Sequence, residues 1–289
     1  KDYVAKIGDD HKFPINKFGE IAKYLIGQNV IKKFHNPYPC SFKTLSRAHS
    51  ENYINNIKNK TLDNNGIKKI GFPLVDSVVQ RSLIATGGTV LASKLALNYG
   101  VACNTAGGSH HANYNEGAGY CVFNDVAVAA HYLLDRGFAN RILIVDLDVH
   151  QGNGNSEIFK DNKQVFTFSM HSKTNYPAKK SISDLDVELE DNLEDEAYLK
   201  TLKFNLNELN NKNFDFIFYI AGVDIHFNDR LGKLKISDEG VKQRDELVIE
   251  NFSSKKIPIC GVLGGGYNKD FNKLIELHSI LHQTCAKLI

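Results

Sequence analysis

Between Ile142 and Gly154 the chain reads Ile-Leu-Ile-Val-Asp-Leu-Asp-Val-His-Gln-Gly-Asn-Gly, an apolar run ending in Asp146, Asp148 and His150 and then a glycine-rich turn. Residues i, i+2 and i+4 of an extended backbone point to the same side. If the strand runs on past Val145, then Asp146, Asp148 and His150 share one face at its mouth. Carboxylate oxygen beside imidazole nitrogen is a donor set that suits zinc. A lone Asp-x-His at a strand end is more often a helix cap, so the reading needs support from elsewhere. Three other apolar stretches supply it, running into Gly107-Gly108-Ser109-His110-His111-Ala112, Ala221-Gly222-Val223-Asp224 and Gly264-Gly265-Gly266-Tyr267. Each is ordinary alone. Together they stand at the carboxyl ends of strands, where open parallel sheets bind ligands.

The chemistry of the combined set is coherent. Asp148, His150 and Asp224 make a three-ligand site with a fourth position free, the pattern of a catalytic rather than a closed structural zinc. A metal there acidifies water to a pKa of about 7 and polarises a carbonyl. His110 and His111 supply the proton transfers that amide cleavage requires. The glycines before Tyr267 let the backbone come close, with the phenol aimed at a developing oxyanion. A further carboxylate on the metal would overload it with negative charge, so Asp146 is expected behind the ligands. There it holds the N–H of His110 or His111, or coordinates a monovalent cation such as K+. Asn153 is the candidate partner of the other histidine, and a neutral amide raises that histidine's pKa less than a carboxylate would.

These residues have to be positioned by alternating strands and helices. The pattern predicts a helix over about 75–98, interrupted at Gly87-Gly88 and ended by Gly100, then a strand at 101–103. Helices follow at about 124–136, 154–160, 194–210, 237–252 and 269–287. Strands fall at 141–146, 164–169, 214–220 and 257–263, and 171–193 reads as irregular. Continuous apolar strands separated by helices mean an α/β fold, a mostly parallel central sheet covered on both faces in three layers. Before residue 70 the signal is weaker: a helix in 16–31 ended by Gly27, a short one after His49, and an exposed loop over 58–69 rich in Lys, Asn and Asp. With no repeat and no low-complexity linker, residues 1–289 read as one domain.

The 289 residues are 42% hydrophobic and 24% charged, as in an ordinary soluble globular protein. A net charge of +2, with basic residues scattered as pairs, is no nucleic-acid footprint. Cys40, Cys103, Cys121, Cys260 and Cys285 are odd in number and lack C-x-x-C spacing, which favours free thiols in a reducing, cytoplasmic compartment. No apolar run reaches the ~18–20 residues of a membrane span. The chain begins at Lys1, so a removed leader and export to a host stay open, as does oligomeric state.

In their order and spacing these motifs resemble the histone deacetylase family, within the arginase–deacetylase fold. His110-His111-Ala112 matches the family's histidine pair, 146–150 its Asp-Leu-Asp-x-His, Asp224 its third ligand and Gly265-Gly266-Tyr267 its Gly-Gly-Tyr. The likeness is strongest to the class IV, histone deacetylase 11-like branch. It is carried by His150-Gln151-Gly152-Asn153-Gly154, by Ala221-Gly222-Val223-Asp224 followed by Asp229-Arg230-Leu231-Gly232, and by Gln243-Arg244-Asp245-Glu246-Leu247. Class I members carry aspartate where Asn153 stands. The resemblance implies a deacylase with one Zn2+ acting on acyl-lysine in proteins or peptides, with long fatty acyl groups preferred over acetyl. It also implies a substrate tunnel at Gly108, Gly119-Tyr120 and Tyr176, where the family's walls are phenylalanine.

Two other functions compete. An arginase-like or acetylpolyamine-type hydrolase shares the fold, but binuclear manganese needs Asp-x-His-x-Asp, and Gly152 stands where the last aspartate belongs. A silent acyl-lysine reader would have lost a ligand or the tyrosine, and nothing is missing. Outside the site, His226 reads as a rim or surface histidine, and His49, His131, His171, His278 and His282 as structural or solvated. The acids Asp184, Asp186, Glu188, Glu190, Asp191, Glu194, Asp195 and Glu196 suit the N-terminus of the helix they enter. Cys121 reads as an inert buried thiol near the tunnel.

Overall fold

Six strands build one all-parallel sheet in the computed structural model, which describes residues 3–8, 10–32 and 34–288. An N-terminal group of helices comes first: α1 (Lys17–Gly27), α2 (Phe42–Leu45), α3 (Glu51–Asn59), α4 (Asn64–Ile70) and the long α5 (Asp76–Tyr99). Then follow β1 (Val101–Cys103), α6 (Asp125–Asp135), β2 (Ile142–Asp146), α7 (Asn153–Phe159), β3 (Val165–Ser172) and β4 (Leu185–Leu189). The chain finishes with α8 (Asp195–Leu209), β5 (Phe216–Ile220), α9 (Asp238–Ser253), β6 (Ile259–Val262) and α10 (Phe271–Ala286). The sheet order is β1-β6-β5-β2-β3-β4, so β6, β5 and β2 lie inside it.

Burial on both faces explains the unbroken apolar strands. Ile142 and Ile144 of β2, with Phe216, Phe218 and Ile220 of β5, pack into a core shared with α1, α3, α5 and α6. The intervening Leu143, Val145, Ile217 and Tyr219 point the other way, into a core shared with α8, α9 and α10. This is the three-layer α/β/α arrangement expected. Polar side chains cap the helix starts: Asn124 accepts from the Ala127 N–H at 2.9 Å, and Ser237 from that of Gly240 at 3.1 Å.

Three local expectations need correction. Helix α5 passes through Gly87 and Gly88 without a break. A side chain at Gly87 would strike the Tyr38 carbonyl, and one at Gly88 would strike Tyr3 and Asn104, so these glycines allow close packing rather than end a helix. The polar 58–69 stretch contains α4, started by Asp63, whose carboxylate accepts the Gly66 N–H at 2.8 Å. The irregular 171–193 region holds β4, an edge strand whose mixed composition hides it.

Candidate metal and catalytic site

The strand ends converge as the sequence suggests. Strand β2 stops at Asp146 and a bend follows over 148–150, yet Leu147 and Val149 stay in the core that holds Leu143 and Val145, so the alternation that sets Asp146, Asp148 and His150 on the other side persists. Asp148, His150 and Asp224 then offer ligand atoms that all lie within 4.8 Å of one another. His150 Nδ1 is 3.0 Å from Asp148 Oδ1 and 3.2 Å from Asp224 Oδ2. Ligands about 2.0–2.2 Å from a tetrahedral ion stand about 3.3–3.6 Å apart, so the set needs little adjustment to hold one. Backbone donors fix both carboxylates: Val149 N–H to Asp224 Oδ1 at 2.9 Å, and Gly265 N–H to Asp148 Oδ2 at 2.6 Å. Asp224 Oδ2, fully buried, has no aligned hydrogen-bond donor among the described residues.

Electrostatics favour a cation at the same point. Burial and then the neighbouring Asp148 raise the Asp224 carboxyl to about 7. On His150 burial opposes charge, but Asp148 and Asp224 outweigh it and raise the imidazole to about 10. Two buried carboxylates facing one imidazole, with one oxygen that no aligned donor satisfies, fit a 2+ ion.

Both histidines have the expected partners. His110 Nδ1 lies 2.7 Å from Asp146 Oδ2, and His111 Nδ1 lies 2.7 Å from Asn153 Oδ1. Asp146 is therefore engaged by His110, and its Oδ1 also accepts the Asp148 N–H at 3.2 Å. His110 Nε2 is turned toward the ligands, 3.8 Å from Asp148 Oδ1. Burial disfavours charge on both rings. Asp146 and Asp148 reverse this at His110 and raise it to about 9, whereas repulsion from His110 and His150 drives His111 well below its ordinary value.

A cavity of about 590 Å³ opens onto His111, His150, Asn153 and Tyr267. Gly119, Tyr120 and Tyr176 line it, and the Tyr176 ring stands edge-on to His111 with centroids 4.8 Å apart. Gly108 is not part of that lining. It is buried, and a Cβ there would lie 2.6 Å from the Gly264 Cα, so it lets two strand-end loops touch. Gly264, at φ +81°, takes the left-handed turn that brings Gly265 over the carboxylates. Burial, with Asp224 and Asp148 nearby, pushes the Tyr267 phenol well above its ordinary value, so it remains a hydrogen-bond donor.

Several positioning residues escaped the sequence reading. Asp125, in the first turn of α6, accepts from Gly108 N–H at 3.2 Å, Ser109 N–H at 2.8 Å and the Thr89 hydroxyl at 2.5 Å, which fixes the backbone ahead of His110. Tyr267 is held through its backbone: its N–H donates to Asp229 Oδ2 at 2.6 Å, and its carbonyl accepts from Arg230 Nε at 2.9 Å. Lys17, from α1, is buried beside Tyr267 with its ammonium 3.1 Å from His278 Nε2, and burial lowers it to about 8. No spacing rule finds a lysine some 250 residues from the tyrosine it supports. His226 is buried rather than on the rim, 2.8 Å from Asp238. Among the eight acids, Asp186 holds Gln151, Asp191 holds Thr174 and Asp195 holds Ser237, so part of that run is structural.

A model of the histone deacetylase domain matches residues 11–280. An uncharacterized protein of Picosynechococcus sp. is 43% identical over 98% of this chain and 95% of its own length. Histone deacetylase 2 of Arabidopsis thaliana is 34% identical over 92% of this chain and 72% of its own. The crystal structure of an HDAC homolog complexed with SAHA superposes with a TM-score of 0.84 at 25% identity, covering 98% of this chain and 81% of that one.

Proposed function

The chain belongs to the histone deacetylase family of hydrolases, and from that premise we propose that it is a zinc-dependent lysine deacylase. Its substrates on this reading are proteins or peptides carrying an acylated lysine ε-amine, and residues 1–289 act as one catalytic domain. The observation that carries the reading is the set of distances around one point. Asp148, His150 and Asp224 share a ligand position, His110 and His111 are each anchored at Nδ1, and Tyr267 lines the cavity above. The class IV likeness at 150–154 supports a substrate with a long acyl chain.

Asp148, His150 and Asp224 would hold the zinc, which when bound acidifies water and polarises the acyl carbonyl. The rest of the work falls to the chain's own side chains. With each Nδ1 tied to its partner, proton traffic runs through the two Nε2 atoms. His111, which burial keeps neutral, has the lone pair that takes a proton from water. His110, whose Nδ1 is held by the Asp146 carboxylate, can give one to the departing lysine amine. The Tyr267 hydroxyl donates to the oxygen on which negative charge develops. Tyr120 and Tyr176 flank the aliphatic part of the substrate and exclude water from it.

The test is turnover of one lysine peptide carrying acetyl, octanoyl or myristoyl, before and after chelation and with zinc restored. The reading expects chelator-sensitive, zinc-restored release of the acyl group, fastest for a long chain. Turnover that persists in metal-free protein, or an Asp224→Ala protein that keeps stoichiometric metal, would refute it. An acetylpolyamine hydrolysed in preference to every peptide would move the substrate to the small-molecule class.

A further inference from the structure

Five cysteines in the sequence show no paired spacing, yet the fold brings two of them together. Cys103 Sγ lies 3.3 Å from Cys285 Sγ, although 182 residues separate them. Cys103 ends β1, an edge strand of the sheet, and Cys285 is the penultimate residue of α10. Cys103 is partly exposed at the sheet edge while Cys285 is buried beside it. His282 stands one turn earlier on α10. The contact with Cys285, reinforced by His282, holds the Cys103 thiol below its usual range despite burial. Of the remaining thiols, Cys40, Cys121 and Cys260 are all buried, and burial pushes each upward. None of these three has a second sulfur within hydrogen-bonding distance among the described residues.

We propose that Cys103 and Cys285 form an oxidative modification site, at which a hydroperoxide converts the two thiols into an intramolecular disulfide. Cys103, as thiolate, attacks the terminal peroxide oxygen, the O–O bond breaks, and sulfur is oxidised by two electrons to the sulfenic acid. The leaving hydroxide takes up the thiol proton and departs as water (an alkyl hydroperoxide leaves as its alcohol). Cys285 then attacks the Cys103 sulfur, its own proton combines with the departing hydroxide, and a second water is released. The sulfurs must close by about 1.3 Å to reach the disulfide length of about 2.05 Å. Both sit where the backbone can yield, one on an edge strand bonded on a single side and the other in the last turn of a helix. Neither touches the proposed metal ligands, so the inference stands apart from the deacylase reading.

The experiment is exposure of the full chain to hydrogen peroxide in small molar excess, followed by thiol titration in denaturant and peptide mapping without reductant. Two of the five thiols are expected to be lost, with a single Cys103–Cys285 cross-linked peptide that dithiothreitol releases. Cys285→Ser is expected to accumulate a dimedone-reactive sulfenic acid at Cys103, and Cys103→Ser to keep all its thiols. The proposal is overturned if wild-type protein retains five thiols, if the bond joins other cysteines or two chains, or if Cys103 goes to sulfinic acid while Cys285 stays reduced. The wild-type map alone decides the matter, so a variant that folds poorly does not blunt the test.

Discussion

Replacing Asn153 by aspartate probes the division of labour between the two histidines with almost no change of shape. Asn153 Oδ1 lies 2.7 Å from His111 Nδ1, so a carboxylate there would place its charge about 4 Å from the centre of the imidazolium. Two unit charges at that separation interact by about 4 kcal/mol at an effective dielectric of about 20, equivalent to about three pKa units. Asn153 is only half-buried, and solvent screening reduces the expected rise at His111 to about one to two units. A base works unprotonated. If His111 is the base, the acid limb of kcat/KM must therefore move to higher pH by that amount. Below the limb, turnover should fall about 10- to 100-fold, while at high pH it is little changed. The assay is a pH profile of kcat/KM on an acyl-lysine peptide, with metal content measured in the same samples. An acid limb that stays within about 0.3 unit of wild type, in a folded variant with full metal, would remove His111 from the role of base.

Other outcomes can be checked separately. Tyr267→Phe should lower kcat by about 10²–10³ with metal content and melting temperature unchanged, as for loss of one oxyanion donor; full turnover would exclude that role. Asp125→Asn turns an amide toward the N–H groups of Gly108 and Ser109 and loses a charged acceptor. It should cost about 2–4 kcal/mol, seen as a melting temperature lower by about 5–10 °C, together with reduced kcat because the loop before His110 loosens. His49 donates from Nδ1 to the Asn113 carbonyl and accepts the Asn124 N–H at Nε2, both at 2.8–2.9 Å, so it must stay neutral, and burial lowers it from 6.5 to about 4. The unfolded chain therefore takes up the proton first. The stability His49 provides is full above about pH 6.5 and is lost as pH falls toward 4, a change of about 3 kcal/mol. Denaturant titrations at several pH values should show this slope in wild type and a weaker one in His49→Gln.

The chemistry was legible in the sequence because it is local. Asp146-x-Asp148-x-His150, the adjacent His110 and His111, and Gly265-Gly266-Tyr267 each lie within a few residues, and each follows a strand whose apolar run is itself unmistakable. Alternating strands and helices leave few topologies, and in any of them parallel strands end on one edge. Fold class and candidate ligands could therefore be read without coordinates. The tertiary structure decided what depends on contacts between distant segments. It placed Gly108 behind the cavity instead of in its wall. It made Asp125, Asp229, Arg230 and Lys17 the supports of His110 and Tyr267. It also set Cys103 against Cys285. Covalent spacing along a chain determines which groups a strand end can present. Which groups from elsewhere meet them follows only from how sheet and helices pack, and packing is a property of the whole chain at once.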